Sequence, residues 1–322
     1  YVAGVCLLWY KMASPSEVHV MRSVLILMTF LVSSLAFTQS LAQSTVSIDA
    51  GRGDIPLHVP TNYAVNTPAP LVVLLHGYGS NGAQQEGYMG FSALVDRFGF
   101  LLATPDGTQE AGGRNSRFWN ASEACCNFFR SDLDDSAYVL AIINTVKAAY
   151  QVDERRIYLI GHSNGGFMSY KAAHDHSDVI AGIASLAGAE ATVALPAPAN
   201  PVHVLQIHGT ADGTIAYEGG DIQGTTYPSA EQTIARWVDY NGCSAQASVP
   251  AMLDLDLSIE GLDTTVARYS ADCLPGGSVE LWTINEGAHI PAISSSFSEN
   301  VIEWLLSRAK IVDGGSVSLS AD

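Results

Sequence analysis

The hexapeptide Gly161-His162-Ser163-Asn164-Gly165-Gly166 follows the β-rich run Ile157 to Ile160 and precedes a helical run that opens with Phe167-Met168. A G-x-S-x-G sequence between a strand and a helix makes a sharp turn, because the flanking glycines leave room for close backbone packing. Ser163 is thereby expected at the C-terminal edge of a sheet as a nucleophile, with the backbone N–H of Asn164 aimed at a developing oxyanion. A serine hydroxyl is a weak nucleophile unless a base takes its proton, and that base must be oriented by a third group. In a strand, turn, helix arrangement the partners follow in the order acid, then histidine.

Downstream, the apolar run Val202 to Ile207 ends in His208-Gly209-Thr210-Ala211-Asp212, which puts Asp212 in the loop past a strand's C-terminal end. His203 falls inside that strand, whereas His289 follows the run Val279 to Ile284 in the loop Asn285-Glu286-Gly287-Ala288. These positions assign Ser163 as nucleophile, His289 as general base and then acid, and Asp212 as the group that fixes the imidazole tautomer. Two alternatives stay open: Asp221 in place of Asp212 if residues 213–220 fold back, and Glu286 beside His289. His162 and His208 read as hydrogen-bonding supports of strand ends, and His174 and His176 as solvated helix residues. A second oxyanion donor is expected from the loop after an early central strand, where Leu71 to Leu75 runs into His76-Gly77-Tyr78-Gly79; the N–H of Tyr78 is the nominee. No phosphate-binding glycine fingerprint is present. Trp119, Tyr88 and Phe128 are expected to wall an acyl pocket.

These groups need a scaffold. Short apolar runs alternate with longer amphipathic ones, the pattern of a mostly parallel sheet with helices on both faces, in a single α/β domain over 43–310. Strands are expected at 46–49, 56–59, 71–75, 100–104, 157–160, 182–186, 202–207 and 279–284. Helices are expected at 86–98, 133–150 with Asp132 as its cap, 164–175, 229–241 and 297–309. The stretches 105–131 and 242–278 read as long irregular loops, which in compact domains usually carry function.

Of 322 residues, 48% are hydrophobic and 15% charged, with Lys+Arg 15 against Asp+Glu 32 for a formal net charge of −17. That composition excludes disordered and collagen-like chains, and the negative field argues against nucleic acid or an anionic polymer as partner. Met21-Arg22, the apolar run Val24 to Phe37 and Ser40-Leu41-Ala42 have the charge, core and small-residue exit of a secretory signal. Met21 is the expected start, cleavage is expected after Ala42, and residues 1–42 stand apart from the catalytic domain. The apolar run is short for a membrane span, so the exported product is expected to have no membrane association. Residues 311–322 read as a flexible tail. Export permits disulfides. Cys243 and Cys273 flank a segment of poor helical periodicity and are paired on that ground, a closure worth about 3–4 kcal/mol in the chain-entropy model. The adjacent Cys125 and Cys126 form either a vicinal disulfide or two thiols. No second Cys/His pair has zinc-ligand spacing, so no metal is expected.

Taken together, His76-Gly77-Tyr78-Gly79, Trp119-Asn120-Ala121-Ser122, Ala124-Cys125-Cys126-Asn127, Gly161 to Gly166 and His208 to Asp212 resemble the secreted esterases grouped with polyhydroxybutyrate depolymerases and feruloyl esterases. The resemblance covers about 60–309. It implies an α/β-hydrolase fold, an extracellular ester hydrolase with no metal or cofactor, and an ester as the partner molecule. It also supports Asp212 over Asp221 and the Cys243–Cys273 pairing. Where that group often shows Gly-Gly-Gly-His before Trp-Pro, this chain has Gly287-Ala288-His289-Ile290-Pro291, which changes the groove beside the base. Enzymes of the group that erode crystalline polymer commonly carry a linker and a binding module, whereas this sequence ends soon after its last helix. The implied order of substrates is therefore feruloyl or acetyl esters of plant-wall polysaccharide first, hydroxybutyrate oligomers or aromatic polyesters second. A carbohydrate-binding protein on a hydrolase scaffold is the non-enzymatic alternative.

Overall fold

A computed structural model describes residues 44–111 and 116–311. The expected start at Met21, the cleavage after Ala42 and the tail from 312 onward lie outside the described residues. The chain opens with the antiparallel pair β1 (Ser44–Asp49) and β2 (Asp54–Val59), then β3 (Ala69–Leu75), α1 (Gly82–Met89), a 3-10 turn (Phe91–Leu94), α2 (Val95–Phe98) and β4 (Leu101–Ala103). A small hairpin of β5 (Thr108–Gln109) and β6 (Arg117–Phe118) precedes α3 (Asp135–Ala149), β7 (Val152–His162), α4 (Asn164–Asp175), β8 (Gly182–Leu186) and β9 (His203–Gly209). A second hairpin, β10 (Gly220–Ile222) and β11 (Thr225–Tyr227), leads to α5 (Ala230–Tyr240), β12 (Ser248–Leu253), β13 (Thr264–Tyr269), β14 (Ser278–Ile284) and α6 (Ser295–Leu306).

Ten strands form one sheet in the order β1-β2-β4-β3-β7-β8-β9-β14-β13-β12. From β4 through β14 the neighbours are parallel, with antiparallel pairs at both edges. The central strands are buried on both sides, and alternate residues serve the two faces as the period-2 pleat requires. Leu71, Val73, Leu75, Ile157 and Leu159 pack under α3, α4 and α5, while Val72, Leu74, Tyr158 and Ile160 join Phe91, Val95, Phe297 and Val301 on the opposite face. Helices therefore cover both faces, as the alternating pattern predicts. No helix among the described residues is long and apolar enough to cross a membrane.

Three readings need correction. The stretch 242–278 holds β12 and β13, which extend the sheet; β13 reads Thr-Thr-Val-Ala-Arg-Tyr with alternating burial, a half-exposed antiparallel signal without the continuous apolar run of a central strand. The single helix expected at 86–98 starts earlier, capped by Asn81 accepting from Gln84 N–H, and breaks at Gly90, whose φ of 69° only glycine adopts without penalty. The cap of α3 is Asp134, not Asp132: its side chain accepts from Ala137 N–H at 2.9 Å.

Candidate active site

β7 ends at His162, and Ser163 takes φ 54°, ψ −121° before α4 begins at Asn164. A non-glycine residue at positive φ stores strain that the surroundings must hold. Close packing holds it here. A Cβ on Gly161 would lie 2.0 Å from the Gly165 carbonyl oxygen, and one on Gly165 would lie 2.2 Å from the Leu75 oxygen. Both glycines are required because backbone crosses backbone, and the turn lifts Ser163 to the C-terminal rim of the sheet.

The next two members arrive on adjacent strands. β9 and β14 are parallel neighbours, and the loops that follow them pack main chain against main chain. Thr210 N–H donates to Ile284 O, Ala211 N–H to Gly287 O, and Glu286 N–H to the Thr210 hydroxyl. A Cβ on Gly209 would sit 2.1 Å from the Gly287 oxygen. This seam brings Asp212 and His289 together. His289 Nδ1 lies 2.7 Å from Asp212 Oδ2, and His289 Nε2 lies 3.0 Å from Ser163 Oγ.

The Asp212 side chain is fully buried yet well supplied with donors. Oδ1 accepts from Thr214 and Ile215 N–H at 2.8 Å each, and Oδ2 faces His289 Nδ1 and, at 3.3 Å, His208 Nε2. Burial alone would raise its pKa, but the hydrogen bonds from His208 and His289 outweigh that and hold it well below the usual carboxylate range. It stays ionised, so Nδ1 of His289 keeps its proton and Nε2 presents a lone pair to the Ser163 hydroxyl. His208 is a support: Gln206 Nε2 donates to its Nδ1, so its Nε2–H faces Ile215 O at 2.8 Å. Asp221 is exposed on the β10–β11 hairpin and accepts from Gly224 N–H, so it takes no part in this contact. Glu286 is exposed as well.

His162 braces His289. Its Nε2–H donates to His289 O at 3.0 Å, and its ring lies against those of His289 and Tyr88 at 5.1 and 5.7 Å. Burial pushes its pKa down to about 4, which keeps it neutral and a donor. His203, inside β9, is likewise pushed down to about 4 by burial. Against an ordinary value of 6.5, both histidines bind a proton more readily once unfolded, so their contribution to stability is complete above about pH 6.5 and is lost as pH falls toward 4. Urea unfolding at pH 7.5 and 4.5 is expected to differ by about 2 kcal/mol from each histidine; an unfolding free energy that stays flat over this range would refute the assignment. His174 and His176, read as solvated, are half-buried and bonded to Pro196 O and Ser136.

A cleft of about 430 Å³ opens over Ser163 and His289, lined also by Gly77, Tyr78, Ser80, Gln84, Gln85, Tyr88, His162, Thr214 and Ile290. Of the oxyanion nominees, Asn164 follows Ser163 directly and Tyr78 lines the same cleft. Asn164 is the first residue of α4, where a backbone N–H has no intrahelical partner, and a Cβ on Gly77 would lie 3.5 Å from Ser163 Cβ. Of the expected acyl wall, Tyr88 lines the cleft and donates its hydroxyl to Pro291 O at 2.8 Å. Phe128 does not reach the cleft; it backs Tyr78 edge-to-face at 5.1 Å.

Trp119 is a correction. It is fully buried, its indole N–H donates to His76 O at 3.0 Å, and its backbone N–H and C=O both meet the Asn164 side chain. The ring clamps the segment around Phe118–Asn120 to the turn after β3 and is not among the residues that line the cleft over Ser163. Trp119→Ala is expected to lower unfolding free energy by about 3–5 kcal/mol while leaving KM for a small ester unchanged in the folded fraction. Undiminished stability with a raised KM would return the ring to the substrate. The sequence reading missed Gln85 and Thr214, the latter two residues past Asp212, which is the signal that points to it; Ile290, in the motif read as altering the groove beside His289, lines the cleft.

Both cysteine pairs are disulfides, Cys243–Cys273 and the vicinal Cys125–Cys126. The second lies beside Asn164, whose Nδ2 is 3.6 Å from Cys125 Sγ. No cluster of three or more metal-ligating side chains occurs among the described residues.

The Esterase PHB depolymerase family model matches residues 55–273. The chain belongs to this family. The match includes Ser163 and Asp212 and ends before His289. Among curated family relatives, a feruloyl esterase B of Piromyces equi is 28% identical over 239 residues, covering 71% of this chain and 41% of its own length. A poly(3-hydroxyalkanoate) depolymerase C of Paucimonas lemoignei is 34% identical over 136 residues, covering 41% and 30%. This family member therefore spans less than half the length of either. Among solved structures, an acetyl xylan esterase from Aspergillus awamori superposes with a TM-score of 0.57 at 16% identity, covering 81% of this chain and 98% of its own. At that identity the likeness speaks for the fold alone, which is the α/β-hydrolase architecture.

Proposed function

We propose that this protein is a secreted serine carboxylesterase that works through an acyl-enzyme on Ser163. The observation that carries the reading is the relay of Ser163 Oγ, His289 and Asp212 at 3.0 and 2.7 Å, at the C-terminal rim of parallel strands. Ser163 Oγ attacks the ester carbonyl carbon as His289 Nε2 takes its proton, and the N–H groups of Asn164 and Tyr78 stabilise the oxyanion. The tetrahedral species collapses, and His289 returns the proton to the departing alkoxide. Water then attacks the acyl-enzyme through the same base, releasing the carboxylic acid and free Ser163. Disulfides favour an oxidising compartment, which fits export.

For substrate, the reading favours feruloyl or acetyl esters of plant-wall polysaccharide, in keeping with the feruloyl esterase relative. A cleft of about 430 Å³ between Tyr88 and Ile290 has the size of a single aromatic acyl group and its alcohol. Hydroxybutyrate oligomers are the second reading, favoured by the depolymerase relative. The deciding experiment compares kcat/KM on methyl ferulate, acetylated xylan, hydroxybutyrate oligomers and short nitrophenyl esters. The first two are expected to lead; a strong preference for hydroxybutyrate oligomers reverses the order, and turnover of none of them refutes the esterase reading.

A further inference from the structure

Gln85, on α1, is 3% exposed and lines the cleft that holds Ser163. Its Oε1 accepts from Gly77 N–H at 3.2 Å, while its Nε2 is buried with no hydrogen-bond partner among the described residues. An N–H is met only by an acceptor, so the Gly77 contact fixes which way the amide faces and strands the NH₂ group. Native proteins seldom keep a buried donor unsatisfied, and an apolar side chain of the same shape would remove the penalty. Local rules broken in this way concentrate at functional sites.

The other side of Gly77 faces the Ser163 turn. A Cβ there would lie 3.4 Å from His162 Nδ1 and 3.5 Å from Ser163 Cβ, ordinary contact distances that leave room for a methyl group, so the polar contact that fixes this peptide is the one from its N–H to Gln85 Oε1. One helical turn further on, Tyr88 donates to Pro291 O in the loop that carries His289. Residues three apart share a helix face, so α1 braces the oxyanion turn with one side chain and the base loop with the other.

We propose that Gln85 is a positioning residue: by holding Gly77 N–H it sets the 77–79 turn against Ser163, so that the oxyanion meets its donor in the tetrahedral state. The inference rests on the acyl-enzyme reading above. Gln85 is 3% exposed and acts through Gly77, so transition-state binding depends on it far more than ground-state binding does.

The test uses Gln85→Met, which keeps length and removes the acceptor, and Gln85→Asn, which keeps the amide but falls one methylene short of Gly77. Active sites are counted by a fluorescent phosphonate, and kcat, KM, thermal midpoint and inhibition by phenylboronic acid, a tetrahedral mimic, are measured for each. Both variants are expected to lose about 10- to 100-fold in kcat with KM within about twofold. Boronate affinity should fall by the same factor as kcat, and the midpoint of Gln85→Met should stay level or rise. Unchanged kcat in either variant overturns the proposal, as does a loss confined to KM or a kcat loss without the matching boronate loss. A wild-type protein that neither reacts with phosphonate nor turns over esters would instead sink the acyl-enzyme reading.

Discussion

Ser163→Ala is expected to lower kcat on any ester the protein accepts by about 10⁴- to 10⁶-fold and to abolish labelling by a fluorophosphonate, with the fold intact. The size of the effect follows from geometry. Removing the Oγ that lies 3.0 Å from His289 Nε2 leaves the imidazole with nothing to deprotonate, and only cleft binding and oxyanion contacts remain. The side chain lies at a strained φ of 54°, and alanine tolerates that backbone no worse than serine, so the unfolding free energy should hold. Steady-state kinetics beside circular dichroism checks both halves. A variant that keeps more than a hundredth of the activity would move the nucleophile elsewhere.

Asp212→Asn is expected to cost about 10⁴-fold in kcat at neutral pH. The surrounding donors dictate why. The position of Oδ1 receives two backbone N–H groups, from Thr214 and Ile215, so an asparagine must place its carbonyl oxygen there. Its NH₂ is then forced into the place of Oδ2, 2.7 Å from His289 Nδ1, where it donates rather than accepts. The imidazole must turn its protonated nitrogen toward Ser163, and the lone pair that makes it a base is gone. A tenfold loss or less would exclude Asp212 as the orienting group; rapid-quench kinetics would show whether acylation, the step that needs the lone pair first, is the one that slows.

The turn at Ser163 is legible in the sequence because its signals are local. A buried strand, a serine between glycines and an amphipathic helix fit one chain geometry, and α4 covers the residues expected of it. Asp212 and His289 are legible for a related reason: each stands a few residues past a strong apolar strand, and parallel strands deliver their following loops to one rim. What the sequence hides is set by tertiary context. Trp119 sits in a glycine-rich, polar neighbourhood that reads as an exposed loop, yet the Asn164 side chain and His76 O draw it fully inside. β13 escapes notice because its burial alternates, and β12, outermost in the sheet, because the proline in its sequence argues against a strand. Gln85 carries no motif at all; what singles it out is its contact with Gly77 N–H.

The glycine seam between the 209–212 and 285–288 turns has a practical bearing on redesign. With main chains touching at Gly209 and Gly287, the turns that carry Asp212 and His289 are joined, and a side chain on Gly209 would run into the Gly287 carbonyl while one on Gly287 would run into Ile284. The rim at Ser80 and Gln84 lies on other elements, so under the esterase reading the shape of the acyl chamber can be changed apart from the contacts of Asp212 and His289. Libraries meant to change which acid is released belong on the rim, with the seam left alone.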